Sequence, residues 1–398
     1  MEKQGNGNIP NRLFHKKSEC CGCEACAEAC PKGLIKMEAD PEGFMYPHIY
    51  HSELCIHCKR CERVCPIKNT REVIGFREKA IAGYSKKQDE IKASASGSLA
   101  TAISKGFIQE LHGAVYGVAY TSDFLGAEYR RATTFEELEC FRTSKYIQAQ
   151  KNGIFRSVQD DLINGINVLY IGLPCETYAL QLFLGKKHDN LYICSLICHG
   201  PSSPEVQRQY IERTKSHHGE VESFSVRYKK EGWKPYYIRT IFKNGDECVE
   251  RFDKSIYGSA FLYFKRPSCN VCDIKRSKIH SDLTIGDYHL AAGGAHKPYN
   301  KDGVSSAILH TEKGRHLASI AKDFYFIEIP IRNAMYSEAY HRCISARKNR
   351  EEYGRVFAKE GLEAACRIKS IKIIEIQLKI RFFIKTCGAR VKRLLAFK

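Results

Sequence analysis

The sequence has no apolar run approaching the length that a membrane-spanning helix needs. Residues 1–17 are polar and lack the apolar core of a secretory leader. These absences exclude a helical membrane span and lead us to expect a protein kept in the cytoplasm. Acidic residues are scarce beside basic ones, 45 against 63, which leaves a net charge of +18. That excess could suggest nucleic acid, but the aromatic interleaving and recognition motifs of such binders are missing. The charge is also uneven. Residues 367–398 carry ten Lys or Arg against the single acid Glu375, which is +9, half of the total.

What is abundant is cysteine. There are nineteen, and nine lie between Cys20 and Cys65. In a reducing compartment clustered cysteines ligate metal more often than they pair as disulfides. Cys20, Cys23, Cys26 and Cys30 give C-x2-C-x2-C-x3-C followed by Pro31, and Cys55, Cys58, Cys61 and Cys65 repeat it before Pro66. This is the spacing of a two-cluster 4Fe-4S ferredoxin, in which three cysteines wrap one cubane and the fourth reaches the other. We therefore assign Cys20, Cys23, Cys26 and Cys65 to one cluster and Cys55, Cys58, Cys61 and Cys30 to the second. Paired zinc sites are the alternative, but zinc needs ligands in pairs, whereas the pattern supplies triplets plus a crossing cysteine. Cys21 falls outside the spacing and reads as a spare thiol, and His57 as a loop residue. Leu34 to Met37 and Phe44 to Ile49 read as strands around the turn Asp40-Pro41-Glu42-Gly43.

After Thr70 the pattern turns α/β. Ile81 to Tyr84 reads as a strand, Ala93 to Ala102 as a small-residue loop entering a helix that runs to about Leu111, and Ala114 to Tyr120 as a strand. Such a loop can present N–H groups to a phosphate, or simply cap the helix. Strands at Asn167 to Gly172 and Leu191 to Ile197 lead into Cys175 and Cys198, beyond strand C-termini where open α/β sheets hold ligands. With Cys269-x2-Cys272 these could close a third 4Fe-4S site. Buried structural cysteines or zinc would fit the same residues. Arg227 to Arg251 alternates around Asn244-Gly245, a hairpin signal, and carries Trp233.

The residues from Ile81 to Leu317 resemble the beta subunits of coenzyme F420 hydrogenases and related dehydrogenases. The likeness is carried by Ser94-Ala95-Ser96-Gly97-Ser98-Leu99-Ala100-Thr101-Ala102, Ser144-Lys145-Tyr146-Ile147-Gln148, Gly172-Leu173-Pro174-Cys175 and Leu196-Ile197-Cys198-His199-Gly200. Pro267 to Cys272, Ser281 to Asp287 and Thr311-Glu312-Lys313-Gly314 complete it. The resemblance implies an FAD-binding α/β fold, supports the third cluster on Cys175, Cys198, Cys269 and Cys272, and places Ser96, Gly97, Ser98, Lys145, Asp282, Gly286 and Asp287 at the flavin. Gly97-Ser98 stands where such proteins show two glycines.

The expected fold class is an α+β ferredoxin-like domain (1–70), then an α/β flavin-binding body (71–165 and 166–340) with a β-hairpin insertion, then a basic helical tail (341–398). Ile373, Ile376, Ile380, Phe383 and Cys387 share one helical face in that tail. It either packs on the body or lies on an anionic membrane surface. The expected function is an oxidoreductase passing electrons from a ferredoxin-type donor, or another oxidoreductase subunit, through the clusters and FAD to a small-molecule substrate. The bacterial branch it resembles is associated with cell-surface polysaccharide synthesis. Alternatives are an electron-transfer subunit serving a partner enzyme and a true coenzyme F420 reductase.

Overall fold

The computed structural model describes residues 13–69, 79–274, 280–294, 296–337, 339 and 349–373. The two cysteine motifs share one backbone shape. Gly22 and Glu24 in the first loop, and His57 and Lys59 in the second, hold positive φ values of 68°, 64°, 50° and 57°. Each loop thus twists twice before a short helix, Ala25–Ala29 or Arg60–Arg63. Between them β1 (Ile35–Ala39) and β2 (Met45–Ile49) pair antiparallel, with Lys36 opposite His48. Asp40 closes their turn, its Oδ1 accepting from the Glu42 and Phe44 N–H groups at 3.0 and 2.9 Å.

The following strands are β3 (Lys79–Ser85), β4 (Ala114–Tyr120), β5 (Ala127–Ala132), β6 (Val168–Gly172), β7 (Leu191–Leu196), β8 (Val221–Tyr228), β9 (Tyr237–Phe242), β10 (Glu247–Arg251), β11 (Leu283–Asp287), β12 (Ser305–Leu309) and β13 (Phe324–Ile329). Eight form one mixed sheet in the order β13-β3-β12-β11-β7-β6-β4-β5. Its centre, β4-β6-β7-β11, is parallel. Antiparallel β5, β12, β3 and β13 extend it on both sides. The apolar runs of β4 and β6 suit a sheet covered on both faces.

Alternate residues of these strands serve the two faces. Val115, Leu169 and Cys194 meet Leu99, Ile103 and Phe107 of the helix Leu99–Leu111 in one core. Tyr116, Tyr170 and Ile193 meet Phe155 of the helix Ile154–Ile163 and Leu180 of the helix Pro174–Leu184 in the other. Phe14, Ala25, Phe44, Tyr46 and Val64 of the cysteine-rich segment belong to that second core. No gap in packing separates this segment from the body.

The β insertion begins before Arg227. Strands β8, β9 and β10 form a separate three-stranded antiparallel sheet, with β9 and β10 joined across Asn244 and Gly245. Trp233 lies between β8 and β9.

Residues expected in the basic tail instead strap the molecule together. Phe357, on the helix Arg350–Glu360, packs 4.5 Å from the Phe264 ring, and Arg350 holds both Glu42 oxygens at 2.7 Å. The amphipathic helix expected at 371–387 lies, from 374 onward, outside the described residues. Among the described residues no helix is long and apolar enough to cross a membrane.

Candidate functional site

The thiols fall into three groups. Cys20, Cys21, Cys23, Cys26, Cys61 and Cys65 line a small cavity of about 30 Å³ walled also by Met37 and Pro47. Burial, then Cys23, Cys20, Cys65 and Cys61, push the Cys26 thiol upward. Cys65 is pushed to about 11 by burial and by Cys23 and Cys20 among its neighbours. Cys20, Cys23, Cys26 and Cys65 thus face one another. In the second group Cys61 is raised by burial, by Glu62 and by its neighbour Cys30. Its loop, 51–63, is the solvent-facing end of the segment, with Leu54 57 % and Ile56 58 % exposed.

The third group lies inside. For Cys175 a hydrogen bond with Cys21 acts downward, but burial and the neighbours Glu176, Cys198 and Cys272 outweigh it and lift the thiol to about 11. Cys269 stands against Gly200, where an added Cβ would lie 3.1 Å from its Sγ. Cys21 touches both Cys175 and Cys23. It is therefore no spare thiol: it sits where the first and third groups meet. Among the described residues no three or more His, Cys, Asp or Glu side chains gather as around a single ion. The corners of a cubane hold thiolates farther apart than one ion does.

Beyond Cys198 opens a cavity of about 440 Å³ at the C-terminal ends of β6, β7 and β11, lined there by Gly172, Leu196 to Pro201 and Ile285 to Asp287. Its size is that of a cofactor pocket. Arg227 dominates its polar wall. This guanidinium is 5 % exposed, pairs with Asp287 at 2.9 Å, donates to the Tyr146 hydroxyl (2.9 Å) and the Ala95 carbonyl (2.6 Å), and lies 4.0 Å over the Tyr236 ring. Its buried Nε has no acceptor. Burial pushes the Asp287 carboxyl up, but Arg227 and His289 outweigh it and hold the group below its ordinary value. Lys145 also lines the cavity and donates to the carbonyls of Cys140 and Arg142 at 2.9 and 2.7 Å; burial pushes it down to about 7.

Residues 166–331 match the family described as the C terminus of the coenzyme F420 hydrogenase/dehydrogenase beta subunit, and residues 19–69 match the 4Fe-4S dicluster domain. The chain belongs to that beta-subunit family. It is an iron–sulfur electron-transfer protein of the oxidoreductase type. It is 38% identical over 50 residues to an uncharacterized ferredoxin of Methanocaldococcus jannaschii, which covers 13% of this chain and 62% of that protein. This chain therefore spans less than two thirds of the curated relative's length. A chain of the F420-reducing NiFe hydrogenase complex from Methanosarcina barkeri aligns over 74% of this chain and 93% of its own, at 15% identity and a TM-score of 0.44.

Of the flavin residues expected from the beta-subunit resemblance, Ser96, Ser98, Lys145, Gly286 and Asp287 line the cavity. Gly97 does not. Its N–H donates to Ser305 Oγ at 2.9 Å, and a Cβ there would lie 2.4 Å from the Gly83 carbonyl oxygen. It is glycine so that the loop can press on β3. Ser98 holds φ 73°, left-handed backbone that explains a preference for glycine at that position.

Asp282 is a correction. It sits at the other end of β11, about 17 Å from Asp287 at the rise of a strand. There its carboxylate accepts from the Ile193 N–H (2.8 Å) and the Thr311 hydroxyl (2.6 Å). We expect Asp282→Ala to cost about 2–3 kcal/mol in urea unfolding and leave ligand affinity at the cavity unchanged.

Sequence reasoning missed Arg227, His199 and Lys229. Lys229 donates to the Ser96 carbonyl at 2.7 Å, and burial, then Arg227, push it down to about 7. A charged residue at the end of a strand carries no local sign that it will be buried.

Proposed function

We propose that this beta-subunit relative is an iron–sulfur flavoprotein that takes single electrons at residues 51–65 and delivers them in pairs to an organic substrate. Cys20, Cys23, Cys26 and Cys65 would hold one 4Fe-4S cluster, Cys55, Cys58, Cys61 and Cys30 a second, and Cys175, Cys198, Cys269 and Cys272 a third. FAD would occupy the 440 Å³ cavity, where Arg227 Nε offers a donor that nothing else accepts. When bound, the clusters move one electron at a time and the flavin stores two. The chain's own residues set the order: the second thiol group faces solvent, the first is enclosed, and the third is buried against the cavity.

The single observation that carries this reading is continuity. Cys21 joins Cys23 to Cys175, Cys175 neighbours Cys198, and Cys198 lines the cavity. Around the cavity, Arg227, Lys145 and Lys229 supply positive charge for an anionic cofactor or substrate.

The test is anaerobic purification with iron, sulfide and flavin counted. Iron for three clusters and one FAD per chain is expected. Replacing Cys55 and Cys58 together by Ala should remove one cluster's iron and abolish reduction by a ferredoxin donor while the flavin stays bound. Zinc in place of iron, or flavin lost with those two thiols, would overturn the reading.

A further inference from the structure

Arg266 is a fully buried cation with no carboxylate. It is 0 % exposed, and it comes just before the segment bearing Cys269 and Cys272. Its Nε donates to the Cys20 carbonyl at 2.8 Å, Nη1 to Gln148 Oε1 at 2.7 Å and Nη2 to the Met45 carbonyl at 2.9 Å. Nη2 also lies 3.6 Å from Cys20 Sγ, and the guanidinium stands 4.2 Å from the Tyr46 ring centre. Gln148 in turn donates to the Gly22 carbonyl at 2.7 Å. A Cβ on Gly22 would come within 2.8 Å of the guanidinium carbon.

The nearby acids on the same turn are engaged elsewhere: Glu42 by Arg350 and Asp40 by Lys17. A guanidinium does not shed its proton, and a buried charge is tolerated only against an opposite one. The groups of matching sign that act on Arg266 are the sulfurs of Cys20, Cys21 and Cys269, with Tyr46. Cys20 belongs to the first thiol group and Cys269 to the third.

We propose that Arg266 is the counter-cation shared by the first and third thiol groups, and that it sets how readily each site accepts an electron. The inference rests on the reading that both groups hold 4Fe-4S clusters. Accepting one electron adds one negative charge to a site. A fixed cation against its thiolates stabilises that reduced form, and the low dielectric of the interior strengthens the effect. Arg266 touches thiols of both groups, so it raises both potentials and keeps them close enough for transfer in either direction. A residue that merely clamped the cysteine-rich segment to the body would leave those potentials alone.

The test is an anaerobic redox titration followed by electron paramagnetic resonance, with iron per chain counted, on wild type, Arg266→Gln and Arg266→Lys. Arg266→Gln is expected to lower the midpoint of at least one of the two sites by tenfold in the one-electron equilibrium, about 59 mV. Arg266→Lys keeps the charge and should stay near wild type. If Arg266→Gln sheds iron while Arg266→Lys retains it, the charge is again what matters. Unchanged midpoints in a fully loaded Arg266→Gln, equal shifts in both variants, or iron lost from both, would overturn the proposal. A wild type with iron for two clusters only would sink the third cluster instead, and the first site's shift would still decide the role of Arg266.

Discussion

Lys151→Met is expected to destabilise the folded chain by about 3–5 kcal/mol, the usual consequence of stripping one partner from a buried ion pair. Lys151 and Glu176 meet at 2.6 Å with side chains 1% and 6% exposed. Burial pulls the lysine down, but Glu176 and Glu24 outweigh it and hold the amine charged. The Glu176 carboxylate also accepts from the Tyr129 hydroxyl at 2.6 Å and the Leu173 N–H at 3.0 Å. Removing the amine leaves an uncompensated carboxylate beside Cys175, at the start of the helix Pro174–Leu184. The urea midpoint, followed anaerobically by circular dichroism, should fall with little change in slope. Lys151→Met combined with Glu176→Gln should recover much of the loss, because the orphaned charge is gone. A double variant as unstable as the sum of its parts would show that the pair is not coupled.

Arg227→Met should be nearly as damaging at neutral pH and less so in acid. In the wild type, Asp287 is held below its ordinary value, chiefly because Arg227 opposes the effect of burial. Its folded pKa is therefore below the unfolded value of about 3.9. The stability it contributes is present above about pH 3.9 and is lost as pH falls through the folded value. Without Arg227 the sign reverses. Burial then raises the carboxyl above its unfolded value, so the group is tolerated below about pH 3.9 and becomes a liability as pH rises through the folded value. The gap between wild type and variant should widen from about pH 4 to pH 7, reaching about 3–5 kcal/mol. Urea midpoints measured across that range check it, and a gap independent of pH would count against the Asp287 pairing. The same variant should lose flavin affinity, because the buried Nε donor in the cavity wall disappears.

The legible parts of this molecule were local. Each C-x2-C-x2-C-x3-C run contains its own loop, and Gly22 with Glu24 and His57 with Lys59 show that equal spacing produced equal backbone. The strands β4, β6 and β7 were readable because an apolar run of five to seven residues between turn signals has few other fates. Asp282 was misassigned for a related reason. Sequence proximity to Asp287 says nothing about which end of a strand faces the site. Cys21 was misread because its partner Cys175 is far away along the chain. Arg266 escaped notice because its bond to Cys20 spans 246 positions.

By itself, the sequence determined the cysteine spacing, the apolar strands and the hairpin turn, and through them the kind of chemistry the chain can host. Spacing within one loop is settled by covalent geometry, which needs no distant neighbour. Only the tertiary structure decided that three thiol groups lie in series, that a cavity opens beside the last, and that Arg227 and Arg266 are buried there as charges. Burial is a property of everything packed around a group, so which charges are desolvated, and against what, is known only once distant segments have met.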